Sequence, residues 1–213
     1  MALLNDEIVK NVTEMLADLT SDVQLVVFTT KKGCEYCKEI VQLAEEVAAT
    51  SSKLTTKVYD FDAVPDKAAA YNITMAPAMA IVGKRDYGLR YYGIPSGHEF
   101  STLLYGIQRA SQGEPDLDPQ TLSFLSGLAQ PVNIQVFVTP TCPYCPRAAI
   151  LAYDMAVASD KVVADVVESM EFQELANRFN VMGVPLNIIN ETSRVEGAAP
   201  PHMIVDAIKT ALA

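Results

Sequence analysis

The 213-residue chain carries all four of its cysteines in two C-x-x-C motifs, CEYC at 34–37 and CPYC at 142–145, which stand 108 residues apart (142 − 34). Pro77, in TMAPAM, and Pro185, in MGVPLN, keep that offset. So do Tyr36 and Tyr144, and the strand-like runs LVVFTT (25–30) and NIQVFV (133–138). A register held over this distance implies one supersecondary unit used twice. Further on it slips: Gly93 and Gly197, like His98 and His202, are 104 apart (197 − 93). A hairpin four residues shorter in the second half (108 − 104) accounts for the slip.

The length admits two small domains of about 100 residues each. The seam falls in SQGEPDLDP, 111–119, which has turn residues and no apolar period. It divides the chain into an N-terminal unit, 1–113, with CEYC, and a C-terminal unit, 114–213, with CPYC. Each half opens with a helix, near 3–19 and near 118–129. A β-run leads into the cysteine motif and its helix, and a second β-run follows, TTKVYDF (55–61) or VVADVV (162–167). Short helices come next, at 66–72 and 171–179, then a hairpin after each proline. A last helix starts near Ser96 or Pro201, and Ser96 with Glu99 has capping-box spacing. The expected class is α/β: two tandem units, each a mixed central β-sheet flanked by helices.

The formal net charge of −10 argues against nucleic acid, whose phosphates need clustered Lys and Arg. The N-terminus lacks the unbroken apolar stretch of a signal peptide. Leu4, Ile8, Val12, Met15, Leu16 and Leu19 instead trace a helical stripe. No run of about 18 uncharged apolar residues marks a membrane span. The expected setting is therefore the cytoplasm, and the Asn-x-Thr triplets at Asn11, Asn72 and Asn190 carry little weight as glycosylation sites. There, paired cysteines mean catalysis or metal more often than structural staples.

Cys34 and Cys142 fall where a β-run gives way to a helix. Unpaired N–H groups and the helix dipole at such a start favour thiolate, the reactive form. A second cysteine three positions on can resolve a mixed disulfide formed on the first. Pro143 suits an early helical position. A four-thiolate zinc site is the competing use of two C-x-x-C pairs, but such pairs usually lie ~15–20 residues apart. A purely structural disulfide closing so short a loop would constrain the unfolded chain little.

Two halves, each with C-x-x-C at a strand-to-helix junction and an apolar–Pro pair 43 residues beyond the first cysteine (77 − 34 and 185 − 142), resemble two thioredoxin folds in tandem. CPYC is the glutaredoxin form of the motif. The whole chain, with CEYC, CPYCP, YYGIPSGHEF and VMGVP, resembles the protein disulfide oxidoreductases of archaea and thermophilic bacteria, also called glutaredoxin-like proteins. The resemblance implies that Cys34 and Cys142 attack and that Cys37 and Cys145 resolve. It also implies that Pro77 and Pro185 are cis, and that the backbone of Ala76 and Val184 pairs with a substrate strand. The implied substrates are client proteins with disulfides or thiols, and the implied electron donor is a thioredoxin-reductase-like flavoprotein. The chain has no Trp, no Thr before Val184-Pro185, and single glycines at Gly93 and Gly197 where glutaredoxins carry a pair, so protein disulfides are expected over glutathione mixed disulfides. A peroxidase electron-delivery module is the second redox reading. A thiol-based metal-binding or chaperone module is the alternative of another class.

Asp60 and Glu168, also 108 apart, close the second core β-run of each half and are candidate proton acceptors for the resolving thiols. Glu35 raises the negative charge beside Cys34 while Lys31, Lys32 and Lys38 oppose it. The second site has only Pro143 and Tyr144 between its cysteines. Cys142–Cys145 is accordingly expected to exchange faster with client proteins, with Cys34–Cys37 tuning or relaying. His98 and His202 are expected to cap or to sit on the surface, and Met75, Met79, Met170 and Met182 to fill core gaps. No G-x-G-x-x-G is present, so no cofactor is expected on this chain and any nicotinamide or flavin belongs to the partner.

Overall fold

The Val- and Ile-rich runs that the repeat places at matching positions become strands, and the amphipathic stretches between them become helices. The computed structural model describes residues 2–213. The N-terminal elements are α1 (Asp6–Met15), β1 (Val23–Thr29), α2 (Cys37–Ala48), β2 (Leu54–Asp60), α3 (Pro65–Ala70), β3 (Ala78–Val82), β4 (Asp86–Tyr92) and α4 (Phe100–Gln112). The C-terminal elements are α5 (Pro119–Ser126), β5 (Val132–Val138), α6 (Cys145–Ala158), β6 (Val162–Glu168), α7 (Gln173–Arg178), β7 (Leu186–Ile189), β8 (Ser193–Glu196) and α8 (Pro201–Leu212). A 3-10 turn at Gly97–Glu99 leads into α4.

The strands form a single eight-stranded sheet in the order β2-β1-β3-β4-β6-β5-β7-β8. Each half is mixed, as expected, but the two do not stand apart: β4 pairs in parallel with β6, with Leu89 opposite Ala164 and Tyr92 opposite Val167. The four-residue slip now has a physical reason. β4 lies inside the sheet and runs seven residues, whereas its counterpart β8 is an edge strand of four.

One face of the sheet carries a core that runs through both halves, from Val12, Leu43 and Ile107 to Ala149, Tyr153 and Ile208. The other carries a smaller core under α3 and α7, with Phe28, Tyr92 and Phe137. Helices α4 and α6 meet across the seam at Gly106, where an added Cβ would lie 3.0 Å from the Tyr153 ring. The Tyr153 hydroxyl donates to the Arg90 carbonyl (3.0 Å), a second tie between the halves. Arg90 itself is buried on β4, its guanidinium bonded to both carboxylate oxygens of Asp86 and to the Tyr71 carbonyl.

The apolar stripe of the first helix is buried at Leu4, Val12, Leu16 and Leu19, although the helix is shorter than its sequence pattern. The capping box does not form. Ser96 makes no side-chain capping bond, because Glu99 is turned into the core and accepts from the Thr102 hydroxyl (2.9 Å). Among the described residues no helix is long and apolar enough to cross a membrane.

The loop after β4 docks on the second half. His98 N–H donates to the Pro140 carbonyl (2.9 Å), and Ile94 N–H donates to Glu171 (2.7 Å). Gly97 makes this approach possible: its φ is +58°, and a Cβ there would overlap the Pro140 carbonyl oxygen. Gly97→Ala is expected to cost roughly 2–4 kcal/mol, combining left-handed strain with overpacking. Urea unfolding followed by far-UV circular dichroism measures it, and a loss within about 0.5 kcal/mol would show that the junction yields.

Candidate functional site

Strands β1, β4, β6 and β5 all run the same way, since β3 is antiparallel to both β1 and β4 and the remaining links are parallel. The turns that follow β1 and β5 therefore open at one end of the sheet. Four strand steps separate β1 from β5, roughly 19 Å at the usual spacing. All four cysteines lie at that end. They pair as Cys34–Cys37 and Cys142–Cys145, each within its own motif. The distance between the turns leaves no place for one ion held by four thiolates.

The helix starts differ slightly from expectation. Cys37 and Cys145 are the first helical residues, with Tyr36 and Tyr144 as N-caps, so Cys34 and Cys142 sit in the preceding turns. The proline of the first helical turn is Pro146, not Pro143, which lies outside the helix. Ala76–Pro77 and Val184–Pro185 are both cis. At the second site the Val184 carbonyl oxygen lies 3.7 Å from Cys142 Sγ, and the Cys145 N–H donates to that sulfur (3.1 Å). At the first site the Thr30 N–H donates instead to Cys37 Sγ (3.3 Å). Cys142 is 8% exposed, while Cys34 is half-buried.

The proposed proton acceptors occupy unlike places. Asp60 ends β2, is partly exposed, and forms an ion pair with Lys31 (3.5 Å). Lys32 pairs with Asp62 (2.8 Å), so two of the lysines expected to offset Glu35 already face other carboxylates. Glu168 ends β6 and is 2% exposed. Burial raises its carboxyl, partly opposed by hydrogen bonds from the Met170 and Glu171 N–H groups.

Two carboxylates escape sequence reasoning. Glu99 is fully buried; one oxygen accepts from Thr102 and the other has no hydrogen-bond partner. Burial pushes it up to about 7, and Glu168 adds to the rise. Its turn packs against α6, next to the His98–Pro140 bond. Glu171 is raised to about 7 by burial and by the charges of Glu168 and Glu35. Together with Glu168 it lines a cleft of about 330 Å³ whose walls also include Glu35 and Tyr36 of the first motif, Ile94, Pro140 and Met170. The sequence signal for Glu99 pointed elsewhere, to a helix cap. Burial of a carboxylate by a second unit leaves no local pattern.

His98 and His202 are exposed, as expected. Met79 is fully buried and Met75 partly so, in keeping with gap-filling. Met170 and Met182 are not core residues: they are 65% and 85% exposed. Met170 follows the end of β6, and Met182 precedes β7, which runs antiparallel to β5. Both therefore stand at the cysteine end of the sheet, on loops rather than beneath a helix.

Two disulfides, each at a strand-to-helix turn and each on a β-α-β-α-β-β-α unit with a cis-proline before its third strand, define a tandem redox protein of the thiol–disulfide class. The chain belongs to the thioredoxin-domain family, whose pattern matches residues 22–104 and again 132–209. A protein disulfide oxidoreductase from Aeropyrum pernix superimposes with a TM-score of 0.89 at 29% identity, over 97% of this chain and 93% of that one. The alkyl hydroperoxide reductase AhpF from Enterococcus faecalis gives 0.88 at 25% identity, over 96% of this chain and 99% of that one. In sequence the chain is similar to an alkyl hydroperoxide reductase of Staphylococcus epidermidis, 23% identical over 86% of this chain and 33% of the relative. It is also similar to an NADH dehydrogenase of Bacillus subtilis, 22% identical over 73% and 28%. The chain thus spans about a third of the length of these curated relatives.

A carboxyl raised by burial keeps its proton in the folded protein after the unfolded chain has released one. Glu99 therefore favours folding below about pH 4.5, and that contribution fades as the pH climbs to about 7. Glu99→Gln is expected to leave stability unchanged near pH 4 and to raise it by about 1–3 kcal/mol near pH 8. Urea unfolding at both pH values tests this; stability curves that run parallel for the two proteins would refute it.

Proposed function

We propose that this chain is a protein thiol–disulfide oxidoreductase that reduces, forms or reshuffles disulfides in client proteins, using Cys34–Cys37 and Cys142–Cys145. The observation that carries this reading is the turn at Cys142. Its sulfur receives a backbone N–H from the helix start and lies beside the carbonyl before a cis-proline. The N–H stabilises a thiolate at Cys142. The neighbouring Val184 backbone offers an edge along which an extended client segment can pair, and Ala76 offers the same before Pro77.

In the reductive direction two electrons first open the Cys142–Cys145 bond to a dithiol. The Cys142 thiolate attacks one sulfur of a client disulfide: a Cys142–client bond forms, the client bond breaks, and the released client thiolate takes up a proton. Cys145 then loses its proton to a nearby carboxylate and attacks Cys142 Sγ. The mixed disulfide breaks, the second client thiolate leaves and is protonated, and the Cys142–Cys145 bond is restored. Glu168, which ends β6 beside the end of β5 and whose carboxyl burial raises above its ordinary value, is the proposed acceptor at this site. Asp60, tied to Lys31, is the weaker counterpart at the first site.

The proposed division is an N-terminal unit of 1–113 and a C-terminal unit of 114–213. The proposed electron donor is a separate thioredoxin-reductase-like flavoprotein, and the proposed setting is the cytoplasm. Similarity to the alkyl hydroperoxide reductases favours a second reading, electron delivery to a peroxidase.

Insulin reduction by wild type, Cys34→Ser and Cys142→Ser tests the assignment. Accessibility alone favours Cys34, whereas the hydrogen bond into Sγ and the nearby cis-proline carbonyl favour Cys142. Cys142→Ser is expected to lose roughly tenfold more rate than Cys34→Ser. Equal losses, or a greater loss from Cys34→Ser, would reverse the division of labour. A doubly substituted Cys34→Ser, Cys142→Ser protein that still reduced insulin at the wild-type rate would remove the activity itself.

A further inference from the structure

The two sites share one scaffold but not one rim. Matching backbone bonds hold their loops: Phe61 N–H donates to the Thr29 carbonyl (2.8 Å), and Ser169 N–H donates to the Val138 carbonyl (3.0 Å). Counted from the cysteines, positions 108 apart then correspond, although the turn before Cys34 is one residue longer than the turn before Cys142. Around Cys34 the exposed positions include Lys31, Lys32, Glu35, Lys38, Asp62 and Thr74. Their counterparts around Cys142 are Thr139, Pro140, Pro143, Pro146, Met170 and Met182. Every one of the five charges has become an uncharged residue, and Asp62 and Thr74 have both become methionine. Met170, Met182 and Tyr144 are 65%, 85% and 69% exposed, large apolar side chains standing in water on a chain of net charge −10. Of the nearby carboxylates, Glu168 is buried and Glu171 points to Ile94, while exposed Glu35 of the first motif faces the Met170 side across the inter-unit cleft. Arg147 is exposed on the first turn of α6.

We infer that Met170, Met182 and Tyr144 are specificity-determining residues that receive an extended, apolar polypeptide segment flanking a client cysteine, while the charged rim of Cys34 disfavours such segments. This deepens the proposed thiol–disulfide activity and rests on it. Met182 stands two residues before Val184, whose carbonyl lies against Cys142 Sγ, and Tyr144 stands two residues after Cys142. A client held covalently at Cys142 therefore brings its flanking side chains to this surface. Unbranched methionines adapt to varied apolar partners, which suits clients that differ in sequence but share exposed hydrophobic residues. Lys31–Asp60 and Lys32–Asp62 would have to be desolvated for the same segment to seat at the first site.

The test isolates each site in the full chain, with Cys34→Ser leaving only the second and Cys142→Ser only the first. Two synthetic peptide disulfides serve as probes, alike except that one cysteine is flanked by Leu, Val and Phe and the other by Lys, Glu and Ser. Dithiothreitol supplies the electrons, and the readout is the ratio of kcat/KM for the apolar peptide to that for the charged one. The Cys34→Ser protein is expected to prefer the apolar peptide by about tenfold or more. Adding Met170→Asp and Met182→Thr, the residues of the first site, should collapse that preference. The reciprocal Asp62→Met and Thr74→Met changes in the Cys142→Ser protein should create one. Equal ratios in the two single-site proteins, or a ratio that survives the exchange, would overturn the inference while leaving the redox activity standing. Failure of the Cys34→Ser protein to reduce even hydroxyethyl disulfide would overturn that activity and the inference with it.

Discussion

Pairing of β4 with β6 is the contact on which the rest of the molecule depends. Each half could in principle close its own small sheet and leave an edge strand open. Here the β4 edge of the first half is satisfied by β6 of the second, so that no backbone ladder is left bare at the centre. Parallel pairing also fixes orientation. Because β4 runs with β1 and β6 runs with β5, both cysteine turns are delivered to the same end of the sheet, one cleft apart. An antiparallel join would have sent them to opposite ends.

The same join moves polar groups into places that no isolated unit would offer. Glu99 lies at the start of α4, a position normally at a rim, and is buried because α6 and the Pro140 loop close over it. Glu171 is drawn toward the first half by the Ile94 N–H. Arg90 is accommodated because Asp86 and the Tyr71 and Leu89 carbonyls use its donors. Burial that costs folding free energy for a carboxylate also brings its proton affinity into the neutral range, where a proton can be handed over. Stability given up at Glu99 and Glu171 thus leaves two carboxyls able to exchange protons near neutral pH.

Duplication has left the frame of the two sites alike and their surfaces different. Both keep a strand-to-helix turn, a tyrosine before the second cysteine and a cis-proline. What changes is the charge of the rim, the sulfur that receives a backbone N–H, and the exposure of the first cysteine. Such differences cost the fold little, since they lie on loops, and they leave one chain with two chemically different faces.

The 108-residue register and the apolar runs are local or periodic, so the sequence alone determined the repeat, the α/β class and nearly every strand and helix, while pairing within each motif followed from the roles the resemblance implied. The resemblance also implied the two prolines that are cis. The sequence pattern misjudged Ser96 and Glu99, whose capping spacing is genuine but is overridden by packing, and Met170 and Met182, whose apolar character says nothing about which face of a loop they occupy. Only the tertiary structure decided that eight strands share one sheet, that both disulfides face the same way, and that Glu99 is buried. The reason is that strand pairing between units, and the desolvation it brings, depend on residues far apart in the chain, and no short-range pattern records which distant edge a strand will meet.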